Sequence, residues 1–193
     1  MIIDKNVMNK QNNLTYLSPE KMIALENQIN YDICCTTGRL YAMANNLNFE
    51  LHNFSDAFLS SVFCHQYFDT KYSPFQLEDE DVSMAYFLKE VDGYSFTDPR
   101  WAEGDYNVDK SKLPKSTEET KLSEDCAFWI GFIYRYLYIK TGIESTILKE
   151  KVPFEYLRKK SYGLLTIDEN NAVDIICNDC KLNVESDEKI QEI

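Results

Sequence analysis

Histidine is nearly missing from this chain, with two among 193 residues, and glycine and proline are sparse at six and five. So few glycines leave no phosphate-cradling glycine loop and no G-x-S-x-G elbow, and the histidines form no H-E-x-x-H zinc motif. His65 follows Cys64 directly, and adjacent residues on a helix point in different directions, which disfavours a nucleophile–base pair. Basic charge is also short. Lys and Arg total 20 against 32 Asp and Glu, a formal net charge of −12. Displacing counterions from phosphates needs a cationic face, so direct nucleic-acid binding is not expected; an acidic surface suits a basic protein partner, or solubility alone.

Long apolar runs are missing as well. The greasiest segment, about 126–139, is shorter than the roughly 20 residues that cross a bilayer, and Arg135 interrupts it. The opening MIIDKNVMNKQNNLTYL lacks a basic stretch followed by an apolar run, so the expectation is a cytoplasmic protein without export or membrane insertion. Its six cysteines then read as reduced thiols.

What is present is helical pattern. Hydrophobic residues make up 44% and aromatics 13%, enough for a real core. Met22, Leu25, Ile29, Ile33, Leu40, Ala44 and Leu47 recur at three-, four- and seven-residue spacing after Ser18-Pro19, which predicts a long helix ending near Asn45-Asn46. Leu51, Phe54, Phe58 and Val62 mark a second, and Val82, Tyr86 and Leu88 or Val91 a third. From 92 to 122 the periodicity vanishes among charges, Gly and Pro, which predicts a long loop that Trp101 and Tyr106 pin to the body. A central helix over about 124–141 ends at Gly142; short helices flank Pro153; and Thr166-Ile167-Asp168-Glu169 reads as a capping box for a last helix bearing Ala172, Val173, Ile176 and Cys180. No segment alternates with a period of two. The expectation is an all-α, compact multi-helix bundle around a buried aromatic helix, spanning 18–182 with flexible tails at 1–17 and 183–193.

An arginine inside that helix must be paired or reach water. Asp69, Asp32 and Asp174 are candidate partners; alternatively Arg135, Tyr134 and Tyr138 line a groove for an anionic group. Gly131 predicts close approach of a neighbouring helix. Cys177-Asn-Asp-Cys180 has C-x-x-C spacing, a weak metal or redox signal without a second pair; two small thiols on one helix face explain it as well. The acids Glu78 to Asp81 match no calcium loop and suit the start of the following helix. No cofactor is expected.

Two stretches, FDTKYSPFQLEDED and FWIGFIYRYLYIKTGIESTILKEKVPFEYL running on to LLTIDENNAVDIIC, resemble an uncharacterised protein family of gut Firmicutes. That family carries a Y-S-x-F-Q core and a W-x-G-F/Y-x-Y-R-x-L/W-Y/H-x-x-T-G helix. The matching positions are Tyr72, Phe75, Gln76, Trp129, Gly131, Tyr134, Arg135, Thr141 and Gly142. Where the family has Y-P-G-L-H-T, this chain has Tyr162-Gly163-Leu164-Leu165-Thr166, so no role for that histidine carries over. The resemblance implies an operon partner of ADP-ribosyltransferase-like proteins, in a toxin–antitoxin-like module. Composition and resemblance together lead to the expectation of a non-catalytic interaction protein, with Arg135, Tyr134, Tyr138, Tyr72, Gln76 and Trp101 as candidate binding residues. The alternatives are a nucleic-acid mimic, which the acids at 78–81 and 185–192 would serve, and a small-molecule site at Arg135 and its tyrosines.

Overall fold

The computed structural model describes the backbone of residues 19–70, 73, 76–77, 79–95 and 112–182, and the side chains of those from 26 onward. Tyr72, Trp101, Tyr106 and both predicted tails lie outside the described residues, as do the side chains of Met22 and Leu25. Eight helices occur among them: α1 Pro19–Asn46, α2 Leu51–Leu59, α3 Val62–Tyr67, α4 Glu80–Val91, α5 Glu124–Thr141, α6 Ser145–Lys151, α7 Phe154–Leu164 and α8 Glu169–Asp179. The fold is all-α, as the periodicity predicts.

The central helix begins where Ser123 Oγ accepts the Cys126 N–H and ends at Gly142, in the left-handed region with φ 67°. Cys126, Ala127, Trp129 through Arg135, Leu137 and Thr141 are all buried. A helix without a polar face has to be enclosed by others, and α5 packs against α1, α6, α7 and α8. Its most extensive partner is α1, and glycine makes that contact possible. A Cβ at Gly131 would stand 2.6 Å from the Thr37 carbonyl oxygen and 2.7 Å from the Tyr41 ring. Reciprocally, one at Gly38 would meet the Phe128 ring at 2.8 Å.

Tyr41 is the hub on the α1 side. It is fully buried, its hydroxyl shares a 2.9 Å hydrogen bond with Ser55 Oγ on α2, and it sits edge-on to Phe54 and Phe58. Phe58 and Phe87 carry this cluster on to α4, and Phe68 extends it past α3. Edge-to-face pairs contribute roughly 0.5–1.5 kcal/mol each beyond their area, so the cluster binds α2 and α4 onto α1.

Three sequence expectations need correction. The helix expected to run through Val62 is two helices: the chain breaks after Leu59, and Val62 is 47% exposed. The break is stabilised from both sides. Ser61 Oγ accepts the Cys64 N–H, and the Glu90 carboxylate of α4 accepts the Val62 and Phe63 N–H groups at 2.7 and 2.9 Å. On α4 the buried apolar residues are Met84, Phe87 and Leu88, whereas Val82 and Tyr86 are only half-buried. At α8 the cap is Asp168, whose carboxylate accepts from the Asn170 and Asn171 N–H groups; the Thr166 hydroxyl instead donates to the Gly163 carbonyl. Cys177 joins Ala172, Val173 and Ile176 in the core, while Cys180 is half-buried.

The end of the expected loop lies against the α1–α2 corner. Glu50 N–H donates to the Pro114 carbonyl and Ser116 N–H to that of Asn48, each at 2.8 Å; Leu113 is buried, and Lys115 covers the Phe49 ring.

Gly131→Ala should lower stability by about 1–3 kcal/mol, because the methyl group meets backbone rather than a mobile side chain. Gly163 in α7 has open space around its Cβ direction, so Gly163→Ala should raise stability by about 0.5 kcal/mol through helix propensity. Urea unfolding of the pair measures both signs; a Gly131→Ala protein as stable as wild type would contradict the close crossing.

Candidate functional site

Arg135 lies on α5 with 3% of its surface exposed. Its Nη2 donates to the Thr70 carbonyl at 3.0 Å, and its guanidinium stands 4.6 Å from the Tyr138 ring centre. Nε and Nη1 are buried without a hydrogen-bond partner among the described residues. None of the three expected carboxylates forms an ion pair with it. Asp69 accepts from the Ser145 N–H at 2.9 Å and the Ser145 hydroxyl at 2.5 Å, capping α6; Asp32 is exposed beside Gln28; and Asp174 pairs with Lys140 at 2.6 Å. Burial pulls the Arg135 guanidinium below its ordinary value, yet a group this basic keeps its proton. The charge is met by a carbonyl dipole and an aromatic face rather than by a carboxylate.

The same carbonyl ties Arg135 to the Y-S-x-F-Q stretch. Gln76 is fully buried; its Nε2 donates to the Thr70 carbonyl at 2.9 Å, and its Oε1 accepts the Ser73 N–H at 2.9 Å. Ser73 Oγ donates to the Tyr67 carbonyl at 2.7 Å. Thr70, Ser73 and Gln76 are thus tied to one another and to Arg135. Tyr134 also has an internal partner: its buried hydroxyl donates to the Val152 carbonyl at 2.8 Å, fixing the corner before Pro153. Of the candidate binding residues that are described, Arg135, Gln76 and Tyr138 are brought together, while the Tyr134 hydroxyl is engaged by Val152 and its ring packs near Tyr41.

The thiols are free. Burial pushes the Cys34 thiol up to about 12 and raises that of Cys64 further, the opposite of what a nucleophile needs. Cys64 is buried and His65 exposed, as adjacency on a helix requires. Cys177 and Cys180 lie at the end of α8, and among the described residues no group of three or more His, Cys, Asp or Glu is placed to hold a metal.

A groove runs along one side of the α1–α5 pair. One part, about 470 Å³, is lined by Tyr31 and Cys34 of α1, Phe132 and Tyr136 of α5, and Glu169 and Asn170 of α8, among others. Tyr31 meets Phe132 edge-on at 5.5 Å, Tyr136 stands at 88° to Phe132, and the Tyr136 hydroxyl donates to Asn170 Oδ1. A second hollow of about 380 Å³ shares Glu169 and adds Phe128, Trp129, Leu165 and Ile167. A third, about 470 Å³, shares Phe128 and Asp125 and continues along α1 past Met43 to Leu47. Arg39 is balanced by Glu80 at 3.1 Å and Lys140 by Asp174. Glu124, Asp125 and Glu169 make no ion pair among the described residues, so the rim is net acidic over an aromatic floor.

From sequence, Phe128, Phe132 and Tyr136 are expected only as part of a buried aromatic helix. Tyr31, exposed on a helix whose other aromatic, Tyr41, is buried, was the available signal.

Gln76→Leu should cost about 2–3 kcal/mol, since it leaves the buried Ser73 N–H without its acceptor and weakens the Thr70 carbonyl's partnership. Arg135→Met should stay within about 1 kcal/mol of wild type, because it removes a poorly satisfied buried charge along with its one hydrogen bond among the described residues. Urea titrations that reverse this order would contradict the assignment. Burial raises the Asp69 carboxyl above its ordinary 3.8. Stability held by its protonated form is therefore complete below that value and lost as pH rises through the higher folded one. Asp69→Asn should flatten the decline in urea midpoint as pH rises above 3.8; an unchanged slope would contradict it. Comparison with protein-family models, curated proteins and solved structures finds no match for this chain, so the site is read from its geometry.

Proposed function

We propose that the chain is a non-catalytic protein-interaction module, antitoxin-like in role, that binds a basic partner protein in the cytoplasm. The observation that carries this reading is the groove: an aromatic floor of Tyr31, Phe128, Phe132 and Tyr136 beneath Glu124, Asp125 and Glu169, three acids with no ion-pair partner among the described residues. Apolar floors with charged rims are how globular proteins seat an amphipathic helix. From Tyr31 to Leu47 the α1 wall spans about 24 Å, room for a partner helix of roughly four turns. The net charge of −12 adds long-range attraction for a cationic protein. It works against self-association through the same face, since acid would meet acid. The family resemblance supports a toxin-like partner encoded nearby, of the ADP-ribosyltransferase-like kind. Among the described residues no helix is long and apolar enough to cross a membrane, and the proposal includes no direct contact with nucleic acid or lipid.

Co-expression with the products of adjacent genes tests this. The tagged wild-type chain should retain one of them and suppress its activity. The triple reversal Glu124→Lys, Asp125→Lys, Glu169→Lys should release it while keeping the wild-type circular-dichroism spectrum. Retention by the reversed protein at wild-type level, or no retained neighbour at all, would contradict the proposal.

A further inference from the structure

Within the groove, the hollow between α1, α5 and α8 differs from the rest in combining three rings with one unneutralised carboxylate. Building on the interaction reading above, we propose that this hollow is a receptor for a single cationic side chain, lysine or arginine, projecting from the bound partner. Tyr31, 49% exposed, and Tyr136 stand on either side of Phe132, and ring faces and edges at these separations form walls against which an ammonium or guanidinium is attracted by the ring quadrupoles. Glu169, half-buried at the start of α8, supplies the countercharge. Its position favours the helix dipole, and among the described residues no cation pairs with it.

The hollow holds one positive group of its own, Lys140, and Asp174 engages it at 2.6 Å. Cys34 of α1 and Glu169 of α8 line the same space, and behind it Asp32 lies near Tyr31 and Asp168 near Tyr136. Glu169, Asp32, Asp168 and Asp174 against Lys140 leave the surroundings net acidic. Tyr31 is pushed up by Cys35, burial and Glu169, and Tyr136 by burial first and then by Cys34, Asp168, Asp174 and Glu169. The volume of about 470 Å³ falls in the range of sites that enclose a small ligand and exceeds what one extended lysine or arginine stem fills. Asn170, held by Tyr136, and the α1 amides Asn27 and Asn30 offer carbonyl acceptors for the remaining N–H groups of a guanidinium.

Isotope-labelled protein titrated with the capped dipeptide acetyl-Lys-Lys-amide, and with its arginine counterpart, tests the assignment by nuclear magnetic resonance. Saturable shifts should centre on Tyr31, Cys34, Tyr136 and Asn170. Glu169→Gln should weaken binding at least fivefold, as should Tyr31→Leu, whereas Tyr162→Leu on the distant exposed end of α7 should leave it unchanged. The norleucine dipeptide, with the same stem and no charge, should not saturate. Equal binding of the norleucine peptide would make the hollow a plain apolar pocket and overturn the inference. Shifts spread over all acidic residues without saturation would overturn it too, reducing the effect to charge screening. Because these probes need no natural partner, their failure is separable from that of the interaction reading, which stands or falls on capture of the neighbouring gene product.

Discussion

The structure depends on one close approach. Where α5 crosses α1, Gly131 admits the Thr37 carbonyl and the Tyr41 ring to distances that any side chain would block, and Gly38 does the same for Phe128. Two backbones brought this near let the rings on either side interlock. Tyr41 reaches across to Ser55 and to the phenylalanines of α2, and beside it Tyr134 bonds the Val152 carbonyl at the α6–α7 corner. Without that approach the apolar helix would have an unfilled side, and interiors tolerate little empty space.

The buried arginine follows from the same geometry. An enclosed helix offers Arg135 no water, and the carboxylates within reach are engaged in other tasks: Asp69 starts α6, and Asp174 holds Lys140. The guanidinium settles for a carbonyl and a tyrosine face. That arrangement stabilises the segment after α3 only jointly with Gln76, which bonds the same carbonyl. A charged side chain at the heart of the central helix thus acts as part of a loop anchor, and the groove lies on the flank of α5 carrying Phe128, Phe132 and Tyr136.

Much of the architecture was legible in the residues, for identifiable reasons. Gly142 and Pro153 punctuate α5, α6 and α7 where the pattern says, because a left-handed cap and a missing N–H act locally. The long α1 and the buried α5 emerged from periodicity sustained over several turns. What was hidden is tertiary. The break between α2 and α3 depends on Glu90, 28 residues from Val62, supplying a cap from another helix. Arg135 was expected to find a carboxylate, since sequence lists acids but not what they are already bonded to. The groove was illegible because Tyr31, Phe132 and Glu169 come from three helices, and their juxtaposition exists only after the α1–α5 crossing sets the angle between them.

This ordering of causes places the α1–α5 seam at the base of the fold and the groove as its consequence. Native-state hydrogen exchange tests it most directly. Amides of Ile130 to Arg135 on α5 and of Leu40 to Ala44 on α1 should be the slowest in the protein, exchanging only through global unfolding with the full denaturant dependence of the whole domain. If these amides exchange by local opening while those of α7 or α8 remain protected, the seam is not what holds the structure together and the account fails.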